Sequence, residues 1–246
     1  MLPRPAALLL DFGGVIADAP PQRPAKPELV LRLYNLIHSA LTPGQIQRAL
    51  ADGEAAYKRW RDEDHPEELG HVEFWDRFVI GDWPRGAQVL VRASADRLTY
   101  DWAWCNSWAL RPGIPEVLAA TAAAGVPMAV VSNTLCGAAH RDFLAKAGVG
   151  KLFGTQIYSD EAGVRKPNPQ LIWNATDELG VPVESCWFVG DSPHRDMAGA
   201  RRAEVRTAIL MRSRRTDGEA PAAGIAPDAT VEDGFGLLEL LKTAGV

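Results

Sequence analysis

The stretch Ala6-Ala-Leu-Leu-Leu-Asp-Phe-Gly-Gly14 is the part of this chain that indicates its fold most clearly. Its apolar residues follow one another without alternation as far as Asp11, and two glycines close the run. A short continuous apolar run of this kind predicts a strand that is buried on both faces of a parallel sheet. A carboxylate that ends such a strand ahead of two glycines is a candidate for chemistry.

Similar apolar runs recur along the second half of the chain, and each adjoins a segment that predicts a helix. Glycines follow three of these helical segments, as is typical of helix C-caps. Strands that alternate with helices predict an α/β fold with a doubly wound, Rossmann-like parallel sheet. The further strands are expected at residues 126–132, 155–159, 186–190 and 206–211, and the helices at residues 114–124, 138–147, 169–179, 194–203 and 237–243.

Residues 19–105 break this alternation, because after Pro20-Pro21 they carry only helix-like patterns. We therefore predict a core domain of residues 1–18 and 106–246 with an inserted all-helical domain of residues 19–105. Most of the tryptophans in this region are expected to form the core of the insertion. The helices of the insertion are expected at residues 29–38, 43–51, 53–61, 72–80 and 86–98.

Composition excludes several classes of partner. The chain has 246 residues, a formal charge of −5 and no run of Lys or Arg, so it lacks the electrostatic footprint of a nucleic-acid-binding protein. The longest apolar run near its start, residues 6–10, is too short for a membrane span. Its three cysteines are odd in number and far apart, which favours a reducing, cytoplasmic location. The sequence does not indicate an oligomeric state.

Asp11, Ser132, Lys166 and Asp191 each lie at, or just beyond, the carboxyl end of a predicted strand. In an open parallel sheet these ends meet at one crevice, which is the usual ligand site. A nucleophilic carboxylate, a hydroxyl, a cation and a second carboxylate together are typical of phosphoryl transfer. Ser132 could instead only cap the following helix.

The order of four motifs makes a family resemblance specific, although each motif by itself is a weak signal. In chain order, the motifs resemble those of the haloacid dehalogenase superfamily over residues 6–18 and 107–211. The insertion after the first motif is similar to that family's helical cap of the first type. The motifs are Asp11-Phe-Gly-Gly-Val15, Val131-Ser-Asn133, Lys166-Pro167 and Gly190-Asp-Ser-Pro-His-Arg-Asp196.

This resemblance implies a magnesium-dependent phosphatase that acts on a small phosphorylated metabolite. Asp11 would attack phosphorus and form an aspartyl-phosphate that water then hydrolyses. Ser132 and Lys166 would complete the catalytic set and bind the phosphate, together with Asn133 and the backbone at Gly14. Asn133 could instead be only a turn residue.

The resemblance also implies a Mg²⁺ site formed by Asp11, Asp191 and the main-chain carbonyl of Gly13. Asp196 would support the site by steadying Lys166 or a metal-bound water. It could instead have no role at the site and lie at the start of its helix only because the positive end of the helix dipole stabilises a carboxylate there.

Gly13 is a departure from the family pattern, in which phosphatases usually carry an aspartate that protonates the leaving oxygen. The general acid is therefore missing from its expected position. Asp18, or a group from the helical insertion, could replace it. Two alternatives stay open: a haloacid dehalogenase that needs no metal, and a ligand-binding protein that keeps the fold but has little turnover.

Overall fold

A computed structural model describes residues 2–19, 26–62, 67–220 and 224–246. Six of its strands form one parallel sheet in the order β5-β4-β1-β6-β7-β8, and the other two form a short antiparallel ribbon. The strands are β1 (Leu8–Leu10), β2 (Ala17–Asp18), β3 (Ala109–Leu110), β4 (Met128–Ser132), β5 (Thr155–Tyr158), β6 (Trp187–Gly190), β7 (Thr207–Met211) and β8 (Ala229–Val231).

The first strand lies at the centre of this sheet, between β4 and β6. Leu8 and Leu10 pack into one hydrophobic cluster and Leu9 into another, and all three are fully buried. The continuous apolar run therefore fills both faces of the sheet, as predicted. The remaining predicted strands are confirmed as β4 to β7, whereas β8 was not predicted because its three edge residues, of which only the last is buried, carry little pattern.

Helices cover both faces of the sheet, and the doubly wound α/β fold is confirmed. Gly125, Gly148 and Gly180 have φ values of +69°, +77° and +66°, the left-handed conformation that ends a helix. The helices are α1 (Pro27–Leu36), α2 (Pro43–Asp62), α3 (His71–Phe78), α4 (Arg85–Ala93), α5 (Ala95–Ala103), α6 (Ile114–Ala123), α7 (Gly137–Lys146), α8 (Ser159–Ala162), α9 (Gln170–Leu179), α10 (Ala198–Arg202) and α11 (Gly234–Thr243).

Helices α1 to α5 form the helical cap and have a hydrophobic cluster of their own. Phe74 and Trp102 lie at its centre, with their rings 5.0 Å apart and nearly perpendicular. Trp75 packs edge-on against both rings and donates a hydrogen bond to Thr99. This aromatic core supports the cap as a separate unit. Its predicted boundaries at residues 19 and 105 stay a prediction, and Pro20-Pro21 lies outside the described residues.

Two expectations about the cap helices were wrong. Residues 43–62 form one helix, because Gly53 does not break it: a Cβ there would lie 2.7 Å from the Phe78 carbonyl oxygen, so the glycine allows α2 and α3 to approach closely. The helix predicted at residues 86–98 is instead two helices, since the backbone leaves the helical conformation at Ser94, with φ −118° and ψ 13°.

Candidate active site

Asp11 follows the central strand β1 and is only 8% exposed. Its backbone N–H donates to the carbonyl of Val189, which fixes it beside the end of β6. The ammonium group of Lys166 donates to Asp11 Oδ1 at 2.9 Å and to the carbonyl of Val131 at 2.8 Å. The predicted nucleophile and the predicted cation are therefore in direct contact.

Lys166 also lies 2.7 Å from Asp196 Oδ1, and its side chain is 2% exposed. Burial by itself lowers the pKa of Lys166, but attraction to Asp11 and Asp196 outweighs it and raises the pKa above its ordinary value. The two carboxylates therefore favour the charged form of this lysine. Asp196 thus lies beside Lys166, and its role in supporting the site stays a prediction.

Asn133 holds the backbone of Lys166 in place. Its amide donates to the Lys166 carbonyl at 2.9 Å and accepts from the Lys166 N–H at 2.8 Å. The side chain is thus used to position the lysine, and direct contact between Asn133 and a phosphate stays a prediction. Ser132, the last residue of β4, is buried next to the carbonyl that Lys166 contacts, and its phosphate contact also stays a prediction.

Asp191, just beyond β6, completes a cluster of three carboxylates. Ligand atoms of Asp11, Asp191 and Asp196 lie within 4.8 Å of one another, and all three residues are buried. Burial, and then repulsion from Asp196 and Asp11, raise the pKa of Asp191 to about 7, against the attraction of Arg215. Asp191 Oδ2 is buried and has no hydrogen-bond partner among the described residues. This donor set fits a hard divalent cation.

Two backbone N–H groups orient Asp196. Its Oδ2 accepts from the N–H groups of Asp191 and Ser192, each at 3.0 Å, so one carboxylate connects the end of β6 to Lys166. Gly190 makes this possible, since a Cβ there would collide with the Asp196 side chain. In the motif Gly190-Asp-Ser-Pro-His-Arg-Asp196, the side chain of the last residue therefore hydrogen-bonds to the backbone near the start of the motif.

Gly14 is restricted to glycine for two reasons. Its φ is +81°, and a Cβ would lie 2.6 Å from Asp191 Cγ and 2.8 Å from Ser213 Oγ. The loop after Asp11 thus comes very close to the acidic cluster. The Gly14 N–H donates to the Ala17 carbonyl at 3.0 Å, so its predicted contact with phosphate stays a prediction.

Gly13 lies beneath a side chain that the sequence analysis missed. A Cβ at Gly13 would fall onto the guanidinium of Arg215, with Cζ at 2.7 Å and Nη2 at 3.2 Å. Arg215 follows β7, at the same edge of the sheet as the other site residues. Residues 206–211 were predicted as a strand, so the position of Arg215 just beyond them was a signal that it could belong to the site.

His140 of α7 was also missed. Its ring stacks on Phe12, the residue after the nucleophile, with centroids 3.8 Å apart and planes 8° apart. Burial, and then the charge of Arg215, lower the pKa of His140 to about 3, so the imidazole is neutral. It supports the loop by packing, and no sequence motif marked it.

Asp18 lies in β2, and the structure pairs its carboxylate with Arg111 Nε at 3.6 Å. Arg111 also donates to the carbonyls of Gly14, Arg212 and Glu232. Asp18 is thus engaged by an arginine that anchors the loop. It is not part of the cluster that Asp11, Asp191 and Asp196 form beside Lys166. A role of Asp18 as the general acid stays a prediction.

Comparison with known proteins agrees with this geometry. A family model described as haloacid dehalogenase-like hydrolase matches residues 5–204, so the chain belongs to this family. Glyceraldehyde 3-phosphate phosphatase of Methanopyrus kandleri is 32% identical over 99 residues, 40% of this chain and 42% of that protein. Phosphoserine phosphatase of Thermus thermophilus is 35% identical over 124 residues, 50% of this chain and 48% of that protein.

Similarity to solved structures extends over nearly the whole chain. CbbY of Rhodobacter sphaeroides, whose structure was solved in complex with phosphate, has a TM-score of 0.59 and 23% identity, and the match covers 94% of this chain and 95% of that one. This likeness concerns the fold alone. The chain spans about half the length, or less, of the curated relatives it matches. No helix of the described residues is long and apolar enough to cross a membrane.

Proposed function

We propose that this protein is a phosphatase that hydrolyses a small phosphorylated metabolite through an aspartyl-phosphate on Asp11. The observation that carries the proposal is the contact between Asp11 and the buried cation Lys166, beside a cluster of three carboxylates. The matched relatives named as phosphatases support it.

In the first step, a carboxylate oxygen of Asp11 would attack phosphorus while the bond to the ester oxygen breaks and its electron pair leaves with that oxygen. Water would then attack the acyl-phosphate, release inorganic phosphate and regenerate the carboxylate. Lys166 would orient Asp11 and neutralise negative charge on the phosphoryl group. Ser132, Asn133 and the backbone at Gly14 would hold its remaining oxygens.

Mg²⁺ is the metal we propose for the acidic cluster. Asp11, Asp191 and the main-chain carbonyl of Gly13 would hold it, and Asp196 would remain committed to Lys166 and the two backbone N–H groups. The unpartnered, buried Asp191 Oδ2 supports this assignment. A bound cation would neutralise the charge of the carboxylates and of the substrate phosphate.

Haloacid dehalogenation is the second candidate. There Asp11 would attack carbon and displace halide, and no metal would be needed. The two further buried carboxylates beside Asp11 favour the phosphatase, because a metal-free site would have to bear their repulsion. A ligand-binding protein with little turnover is the third candidate, because Gly13 removes the usual acid. A cytoplasmic location, which the three free thiols favour, is also proposed.

A phosphate-release screen over phosphorylated metabolites, run with Mg²⁺ and with a chelator, tests the proposal. We expect Mg²⁺-dependent release from some esters, and none from Asp11→Asn protein. A parallel assay of halide release from 2-halo acids, with chelator present, separates the candidates. Halide release without phosphate release would establish the dehalogenase, and ligand-induced stabilisation without either product would establish the binding protein.

A further inference from the structure

The loop after β7 is fixed to the candidate active site by its own side chains. Thr216 Oγ1 donates to the Asp191 carbonyl at 2.6 Å, and Ser213 Oγ accepts from the Arg215 N–H at 3.2 Å. Arg215 lies between these two anchors. Its backbone is therefore held next to the residue proposed to bind the metal.

A second anchor fixes the far end of the loop. Glu219 accepts from Ser192 Oγ at 2.6 Å and lies 3.1 Å from Arg195, and both partners belong to the segment that follows β6. The loop is thus attached to the Asp191 segment at two separated points.

The guanidinium of Arg215 occupies the space into which a side chain at position 13 would project. It is close enough to Asp191 and His140 to lower the pKa of each. Within the described ranges, however, no carboxylate lies within 4.0 Å of it, and the residue is exposed. Arg215 is therefore a cation at the site, and no carboxylate of the described residues accepts its hydrogen bonds.

We propose that Arg215 binds the substrate at the ester oxygen that leaves phosphorus, in the space that Gly13 leaves open. This inference rests on the proposed phosphatase function. Lys166 and the proposed Mg²⁺ would provide positive charge for the phosphoryl oxygens, whereas no carboxylate of the described residues is among the three atoms nearest to a Cβ at Gly13. A guanidinium in that space gives the departing oxygen a charged donor.

Arginine acts differently from a general acid at this point. When the P–O bond breaks, its electron pair stays on the leaving oxygen, and the guanidinium donates hydrogen bonds but keeps its protons because it does not deprotonate in proteins. Water then protonates the alkoxide or phenoxide. Arg215 would therefore lower the energy of a charged leaving group, and its effect should grow as that group becomes more basic.

The test compares Arg215→Ala with Arg214→Ala, an exposed arginine one position earlier in the same loop. kcat/KM is measured over a series of phosphate esters whose leaving groups differ in basicity. Removal of one preorganised donor to a developing oxyanion costs about 10²-fold. We expect Arg215→Ala to lose about this factor on alkyl phosphates and much less on the most acidic phenols. Added guanidinium ion should restore part of it, and Arg214→Ala should match the wild type.

Other outcomes overturn the inference. If Arg215→Ala loses the same factor in kcat/KM for every ester, Arg215 contacts the transferred phosphoryl group instead. If its kcat/KM is unchanged, Arg215 takes no part in the reaction. A lower melting temperature with rates that guanidinium does not restore would make its role structural.

A binding experiment keeps this inference separate from the proposed function. If the wild type hydrolyses no ester, the proposed function fails. Calorimetry of an aryl phosphate with Asp11→Asn, and with Asp11→Asn plus Arg215→Ala, then still decides whether Arg215 is a ligand. We expect about tenfold weaker binding by the double variant, and equal affinities would reject the inference.

Discussion

The carboxylate of Asp11 and the ammonium of Lys166 are 2.9 Å apart, although 155 residues separate them in the chain. Asp11 comes directly after β1, whereas Lys166 lies in the segment between α8 and α9. The lysine is shared with Asp196, so three charged residues from three segments depend on one another. Substitution of any one of these three residues is therefore expected to affect its ion-pair partners.

Asp11→Asn should abolish phosphate release and leave the fold intact. An amide cannot form the acyl-phosphate, and it also loses the charge that Lys166 and a metal ion would contact. Phosphate release and melting temperature are the measurements, with Asp52→Asn, an exposed residue of the cap, as the control. Substantial turnover by Asp11→Asn, in protein shown by mass spectrometry to be free of deamidation, would contradict the nucleophilic role.

Chelation should remove activity and Mg²⁺ should restore it, because Asp11 and Asp191 otherwise repel each other beside an anionic substrate. Asp191→Asn should raise the Mg²⁺ concentration needed for half-maximal rate by at least about tenfold. The measurement is a Mg²⁺ titration of phosphate release, with Asp217→Asn of the exposed loop as the control. Full activity in verified metal-free protein would reject the metal site.

Stability should depend on pH through His71, at the contact between cap and core. Its Nδ1 lies 2.7 Å from Asp96 of the cap, and its Nε2 lies 3.7 Å from Asp160 of the core. Interaction with the carboxylates of Asp160 and Asp96 outweighs burial and raises the pKa of His71 to about 9. A raised pKa stabilises the fold below the unfolded value near 6.5, and this contribution is lost as pH rises through about 9.

His71→Gln should therefore reduce the free energy of unfolding by on the order of 1–2 kcal/mol at pH 6, after allowance for partial exposure. The difference from the wild type should shrink as the pH rises from 6.5 to 10. Denaturant unfolding at several pH values measures it, and His194→Gln, exposed after β6, serves as the control. A difference that stays constant across this range would show that His71 contributes by packing alone.

Esters with acidic leaving groups should be the best substrates. Gly13 supplies no acid, so aryl, acyl or anomeric sugar phosphates should be cleaved faster than simple alkyl phosphates by on the order of 10² or more. The measurement is log(kcat/KM) against leaving-group pKa for wild type and Asp18→Asn. Because Arg111 already engages Asp18, we expect a steep dependence in both. A flat wild-type plot that steepens in Asp18→Asn would show that Asp18 is the acid.

Gly14→Ala should disturb the site, since the added Cβ would meet the Asp191 carboxylate at a backbone conformation that favours glycine. We expect a loss of stability on the order of 1–3 kcal/mol and weaker Mg²⁺ binding. Gly44→Ala is the matched control, because nothing lies within 4 Å of its added Cβ. Equal melting temperatures and Mg²⁺ affinities for the two variants would show that the loop can relax away from Asp191.

The sequence alone was enough to predict the central strand and three of the charged residues that meet beside it. An apolar run buried on both faces has few alternatives to a place inside a parallel sheet, and the carboxyl ends of such strands share one edge. For this reason the sequence predicts that Asp11, Lys166 and Asp191 lie close together. The order of the four motifs along the chain also indicated the family that they resemble.

The other residues at the site were brought there by packing between distant segments of the chain. Arg215 covers Gly13 because Thr216 and Glu219 tie its loop to the Asp191 segment, and His140 stacks on Phe12 because α7 packs against that face of the sheet. These contacts join residues that lie on separate segments and share no local periodicity. They depend on how loops pack, which the pattern of apolar and polar residues along the chain does not encode.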